Sequence, residues 1–101
     1  MVSKELLSEV FGWQIKFVNP RVNDNEISFV DYNGNVDSFN VYYVAHKCKD
    51  WAINQGYQFQ VYHQCDGSES WHIGKCGYDW DLYIADSVFA ACQWILDNKE
   101  K

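Results

Sequence analysis

The chain has 101 residues, 48% hydrophobic and 18% aromatic against 22% charged, with a formal charge of −6. A single domain of this size buries roughly 65% of its unfolded surface, so this composition needs neither disulfides nor a metal to fold and is not that of a disordered segment. The acidic balance argues against general nucleic-acid binding, which takes Lys and Arg to displace counterions from phosphate, and against an anionic membrane surface.

The N-terminal segment has no basic region followed by an apolar run, so no export signal is expected and the protein is read as cytoplasmic. Cys48, Cys65, Cys76 and Cys92 are then reduced thiols, with Cys48 and Cys92 on apolar helical stripes and expected to be buried. Ser3 is placed to cap a short helix ending near Phe11, with Leu6, Leu7, Val10 and Phe11 inward and Gly12 closing it. Trp13 to Val18 alternates as a half-buried strand with Trp13, Ile15 and Phe17 on one face. After a loop over Asn19–Asn25 that holds Pro20, Glu26 to Tyr32 is a second strand with Ile27 and Phe29 inward. Asn33-Gly34 signals a two-residue hairpin turn into a brief strand, Asn35–Asp37.

Ser38 then caps the longest helical run, closed at Gly56, with Val41, Val44, Ala45, Cys48, Trp51 and Ala52 on its inner stripe. His46, Lys47, Lys49 and Asp50 make its solvated face. Tyr57 to Cys65, Ser70 to Lys75 and Tyr78 to Ala85 read as three further strands, joined by Asp66–Glu69 and Cys76-Gly77. A last helix runs from Val88 to about Lys99, capped by Asp86 or Ser87, with Val88, Ala91, Cys92 and Ile95 inward.

The expected fold is α+β in the order α-βββ-α-βββ-α, one compact domain of antiparallel sheet with the helices on one face. Two βββα units ending in CKDWAIN and CQWILDN suggest a loose internal repeat. The first unit with its leading helix resembles a double-stranded-RNA-binding domain in element order alone, because the basic residues such a module sets on phosphates are missing.

Strand register decides which side chains face outward together. A two-residue Cys76-Gly77 turn pairs Ile73 with Trp80 and Trp71 with Leu82 on an apolar face, and His72 with Asp81 and Gly74 with Asp79 on the other. For the preceding hairpin, a five-residue loop over Asp66–Ser70 pairs Cys65 with Trp71 and His63 with Ile73, and keeps one apolar face throughout. The exposed patch is then Tyr62, Gln64, His72, Gly74, Asp79, Asp81 and Tyr83, with Gly74 leaving room for close approach of another chain.

His63, Cys65, His72 and Cys76 have the composition of a structural zinc site. The favoured register turns His63 and Cys65 to the core and His72 outward, so no metal is expected, and His63 becomes a core histidine. No P-loop, G-x-G-x-x-G, H-E-x-x-H, G-x-S-x-G or EF-hand spacing occurs, and no cofactor is expected. Between Tyr57 and Asn98 stand six carboxylates against Lys75 alone, a field that steers a basic partner. The leading expectation is a non-catalytic, acidic protein-interaction module, of the kind phages and mobile elements use to present carboxylates to a basic groove. The rivals are a small-ligand binder or hydrolytic enzyme with Asp81 orienting His72 as general base, and a structural homodimer joined through strand edges.

Overall fold

The computed structural model describes residues 2–19, 25–75, 77 and 81–98. Expectations placed on Pro20, Cys76, Tyr78, Asp79, Trp80 and Lys99 lie outside the described residues. The chain folds as α1 (Lys4–Phe11), β1 (Ile15–Asn19), β2 (Glu26–Asp31), β3 (Val36–Asn40), α2 (Val41–Asn54), β4 (Tyr57–His63), β5 (Glu69–Lys75), β6 (Tyr83–Ala85) and α3 (Val88–Asn98). This is the α-βββ-α-βββ-α order read from the sequence. The strands form two antiparallel three-stranded sheets, β1-β2-β3 and β4-β5-β6.

Local chemistry sets the helix ends. Ser3 Oγ accepts from Leu6 N, and Gly12 closes α1 in the left-handed region at φ 72°. Ser3 Oγ also donates to Gln93 Oε1 at 2.6 Å, tying α1 to α3. Ser38 does not cap α2. It lies in β3, its Oγ 2.7 Å from that of Ser28, and Asn40 takes the cap by accepting from Tyr42 N. The buried Ser28 hydroxyl needs a partner, and Ser38 supplies it only if β3 continues past Asp37. Ser87 caps α3 by accepting from Ala90 N.

The inner stripes hold as expected. Val44, Cys48, Trp51 and Ala52 of α2 and Val88, Ala91, Cys92 and Ile95 of α3 are buried, with Leu6, Leu7, Ile15, Ile27 and Phe29 completing much of the core. Helix α1 touches β1, α2 touches β2, β3 and β4, α3 touches β5 and β6, and the three helices touch one another. The Cα framework measures 43 × 35 × 16 Å.

Strand β1 departs from simple alternation. A bulge between Ile15 and Phe17 leaves Ile15 buried and Val18 against the core, while Phe17 is exposed; Trp13 precedes the strand and is 39% exposed, with its ring against Phe11, Phe29 and Phe39. The first hairpin is likewise one residue longer than a two-residue turn. Asp31 N donates to Asn35 O, Gly34 sits at φ 83°, and the loop is Tyr32-Asn33-Gly34. The Asp31 carboxylate accepts from Asn33 N and Asn35 N, which explains the choice: an Asx turn stabilises three residues here.

Candidate functional site

The second sheet carries the residues singled out in the sequence, and its two hairpins decide their faces. In the first, Asp66 Oδ1 accepts from Ser68 N and Ser68 Oγ, Gly67 takes φ 90°, and Gln64 N donates to Ser68 O. The turn therefore centres on Cys65-Asp66-Gly67, and β4 pairs with β5 as Phe59↔Ile73, Val61↔Trp71 and His63↔Glu69. The expected pairs Cys65 with Trp71 and His63 with Ile73 are replaced by a register slid four residues along. The slide is even, so Phe59, Val61, Trp71 and Ile73 still share the core-side face.

His63 nonetheless leaves the core. It lies at the hairpin tip, its side chain 74% exposed and Nδ1 3.6 Å from Glu69 Oε2. Cys65 is exposed in the turn. With Cys76 outside the described residues, His63, Cys65 and His72 are spread over a tip, a turn and a strand face. Among the described residues no group of three or more His, Cys, Asp and Glu is placed to hold a metal ion.

The second hairpin differs by an odd shift. Trp71 pairs with Ala85, His72 with Ile84 and Ile73 with Tyr83, and Leu82 N donates to Ile73 O. The connection is thus longer than a two-residue Cys76-Gly77 turn, and every β6 side chain changes face. Tyr83 belongs to the core side, stacked on Trp94 of α3 at 5.3 Å and 6°, so it is not part of the His72 surface. Ile84 and Leu82, read from sequence as core-facing, are exposed, with Ile84 opposite His72 on the outer face. Ala85 is the buried member of the strand.

The His72–Asp81 contact survives by another route. Asp81 stands before β6, not across a rung, and its φ of 55° is the one positive value at a non-glycine among the described residues. That left-handed step turns the carboxylate back so that Oδ1 lies 2.7 Å from His72 Nδ1. Tyr62 stands diagonal to His72, its ring edge-on at 4.9 Å and 73°, and its hydroxyl donates to Gln60 Oε1. Gln64 reaches Ser70 Oγ at 3.4 Å. Gly74 is buried, so it offers no slot to another chain.

The outer face as built is Gln60, Tyr62 and Gln64 on β4, Ser70 and His72 on β5, and Asp81, Leu82 and Ile84 at β6. The His72–Asp81 pair fixes an imidazole ring and anchors the turn into β6, for about 0.2–1 kcal/mol as a surface pair. It also has the form of a base held by an orienting carboxylate.

The core-side face of the same sheet has a feature missed in the sequence. A groove of about 550 Å³ runs along β4, bordered by Lys49 and Ile53 of α2 and floored by Phe59, Val61 and Trp71. Trp71 is fixed there by its Nε1 bond to Glu69 at 2.8 Å and an edge-on contact with Phe59. The signal for it was present: Ile53 falls off the α2 stripe, and β4 continues beyond the end of that helix. A larger cleft, about 630 Å³ between α1, β1 and α3, is lined by Lys4, Glu5, Trp13, Gln93 and Asp97 and assembles no reactive set.

No helix of the described residues is long and apolar enough to cross a membrane. No protein-family model, curated protein or solved structure matches this chain.

Proposed function

We propose that this is a non-catalytic protein-interaction module, acting in the cytoplasm, whose outer second-sheet face engages a basic partner. The observation that carries the reading is the make-up of that face. Tyr62, Leu82 and Ile84 are 41–54% exposed around the His72–Asp81 pair, in the segment from Tyr57 to Asn98 that holds six carboxylates against one lysine. Exposed aromatic and aliphatic groups supply contact area, amides and carboxylates supply direction, and the acidic field speeds encounter with a cationic surface. An inhibitor that offers carboxylates where a basic groove takes phosphates is the specific form this reading takes. The free thiols Cys48, Cys65 and Cys92 suit a reducing compartment.

The test is capture of partners from the native host at low and high salt, with Asp79→Asn/Asp81→Asn and Ile84→Lys variants in parallel. Basic partners retained at low salt, released as salt rises and lost with both variants are the expected result. Binding indifferent to salt and to the substitutions would sink the proposal.

A further inference from the structure

The two sheets have four edges, and three of them are blunted against further pairing. Strand β1 carries Lys16 and a bulge between Ile15 and Phe17. Strand β3 carries Asp37 among its five residues. Strand β6 is three residues long and follows Asp81 and Leu82. Strand β4 has none of these devices. It is seven residues, YQFQVYH, without Lys, Arg, Asp, Glu, Pro or bulge, and it pairs with β5 in unbroken register. A long, flat, uncharged edge is what monomeric sheet proteins avoid.

The direction of its backbone groups follows from two bonds. Gln64 N donates to Ser68 O across the hairpin, and Leu82 N donates to Ile73 O on the far side of β5. Even-numbered residues of β4 therefore bond β5, and Phe59, Val61 and His63 turn their N–H and C=O groups to the open side. Among the described residues no backbone hydrogen bond reaches them there.

We infer that a second copy of this chain pairs antiparallel with β4 about a two-fold axis at Gln60, giving one continuous six-stranded sheet. The strand is self-complementary in this register. Phe59 meets the second copy's Val61 on the core side, above the groove that Ile53 and Trp71 border, and Tyr57 meets His63. Gln60 meets its own equivalent and Gln58 meets Tyr62 on the outer side. Phe59 and Val61 then exchange backbone bonds with their counterparts, about four across the centre of the seam.

Charge also matches. Glu69 stands beside His63 at one end of β4 and Lys75 beside Tyr57 at the other, so antiparallel pairing sets the acidic end of each copy against the basic end of its mate. A second copy set parallel would gain neither match. The seam places the two outer faces side by side, so any partner of that face meets two of them, yet the pairing itself needs no such partner.

Sedimentation of the isolated protein over a dilution series tests it, and its result is independent of any captured partner. A dimer that dissociates on dilution is expected. Val61→Lys should raise its dissociation constant about a hundredfold or more, because the symmetry makes the substitution act twice, while leaving the far-ultraviolet spectrum unchanged. A second readout covers the case where that variant fails to fold. In a Cys65→Ser background, Gln60→Cys should form an intermolecular disulfide on mild oxidation, since residues facing across the axis are about 4.5 Å apart. Gln58→Cys should not, because its equivalents lie four rungs apart. A monomer at the highest soluble concentration, a dimer untouched by Val61→Lys, or a crosslink at position 58 in place of 60 would each overturn the inference.

Discussion

The two βββα units share an element order and a turn chemistry but differ in what they leave open. Each contains a hairpin of three loop residues, β2–β3 in the first and β4–β5 in the second, closed by a left-handed glycine, Gly34 or Gly67, and braced by an aspartate, Asp31 or Asp66. Their helices meet at equivalent cysteines, with Cys92 Sγ donating to the Cys48 carbonyl at 3.3 Å. The first unit closes over an aromatic cluster in which Phe11, Phe29, Phe39 and Tyr43 stand at ring-centroid distances of 5.4–6.5 Å. The second has smaller aromatic contacts, Phe59–Trp71 and Tyr83–Trp94, and keeps an exposed groove and an unguarded strand edge. Both units expose large apolar residues, Phe17, Val36 and Tyr42 in the first and Tyr62, Leu82 and Ile84 in the second, and the second sets Val61 and Phe59 in a groove along an uncharged strand. Similar topology thus does not imply similar exposure, because helix cover ends before β4 does.

The largest effect that sharpens this contrast is in the cores. Phe29→Ala should cost about 3–5 kcal/mol in urea unfolding, as for a buried aromatic. Phe59→Ala, at a partly covered site, should cost less than half of that. Equal losses would show the second unit to be as closed as the first.

Next comes the seam between the helices. Burial pushes the Cys48 thiol up from 9.0 to about 12, and burial with the neighbouring Cys48 pushes Cys92 up as well. A raised folded-state value means that the folded chain holds the proton longer than the unfolded chain. The stability contributed by the protonated thiols is therefore whole below pH 9.0 and is lost between there and about 12. Unfolding monitored against pH should show that alkaline loss, and a thiol reagent at neutral pH should modify Cys65 while sparing Cys48 and Cys92 until the protein unfolds.

The glycine turns should respond alike if the hairpins are equivalent. Gly34→Ala and Gly67→Ala each force a side chain into the left-handed region and should each cost about 1–2 kcal/mol by urea unfolding. A marked difference would show that one hairpin holds its unit together and the other does not.

The smallest effect is acidic. Hydrogen bonds from the Asn35 backbone to Asp31, and from the Ser68 side chain to Asp66, lower both carboxyls from their ordinary 3.8. The bracing is therefore intact above pH 3.8 and fades as pH falls through the lower folded-state values. Amide shifts of Asn35 and Ser68 should titrate together, each with a midpoint below 3.8.

Much of the fold was legible because it rests on local periodicity. Leu6, Leu7, Val44, Cys48, Ala91, Cys92 and Ile95 fall on stripes that only a helix aligns, and all are buried. The Ser3 cap and the Gly12 and Gly56 stops needed no tertiary knowledge either. Register was harder, because a strand has period two and every even slide preserves the same apolar face. Turn chemistry chose among those slides: Asp66-Gly67 braced by Ser68 drew the hairpin back by two residues at its tip and sent His63 into solvent.

By itself, then, the sequence determined the order of the elements, their inward stripes and the acidic character of the second half. Tertiary structure alone decided the faces at β6 and the end of the helix cover over β4. Tyr83 turns to Trp94, Ile84 turns outward, and Asp81 reaches His72 through a left-handed backbone step that no alternation pattern encodes. Edge exposure belongs to the same class. Whether a seven-residue uncharged strand is central or terminal depends on which strands lie beside it, and that is a property of the assembled sheet.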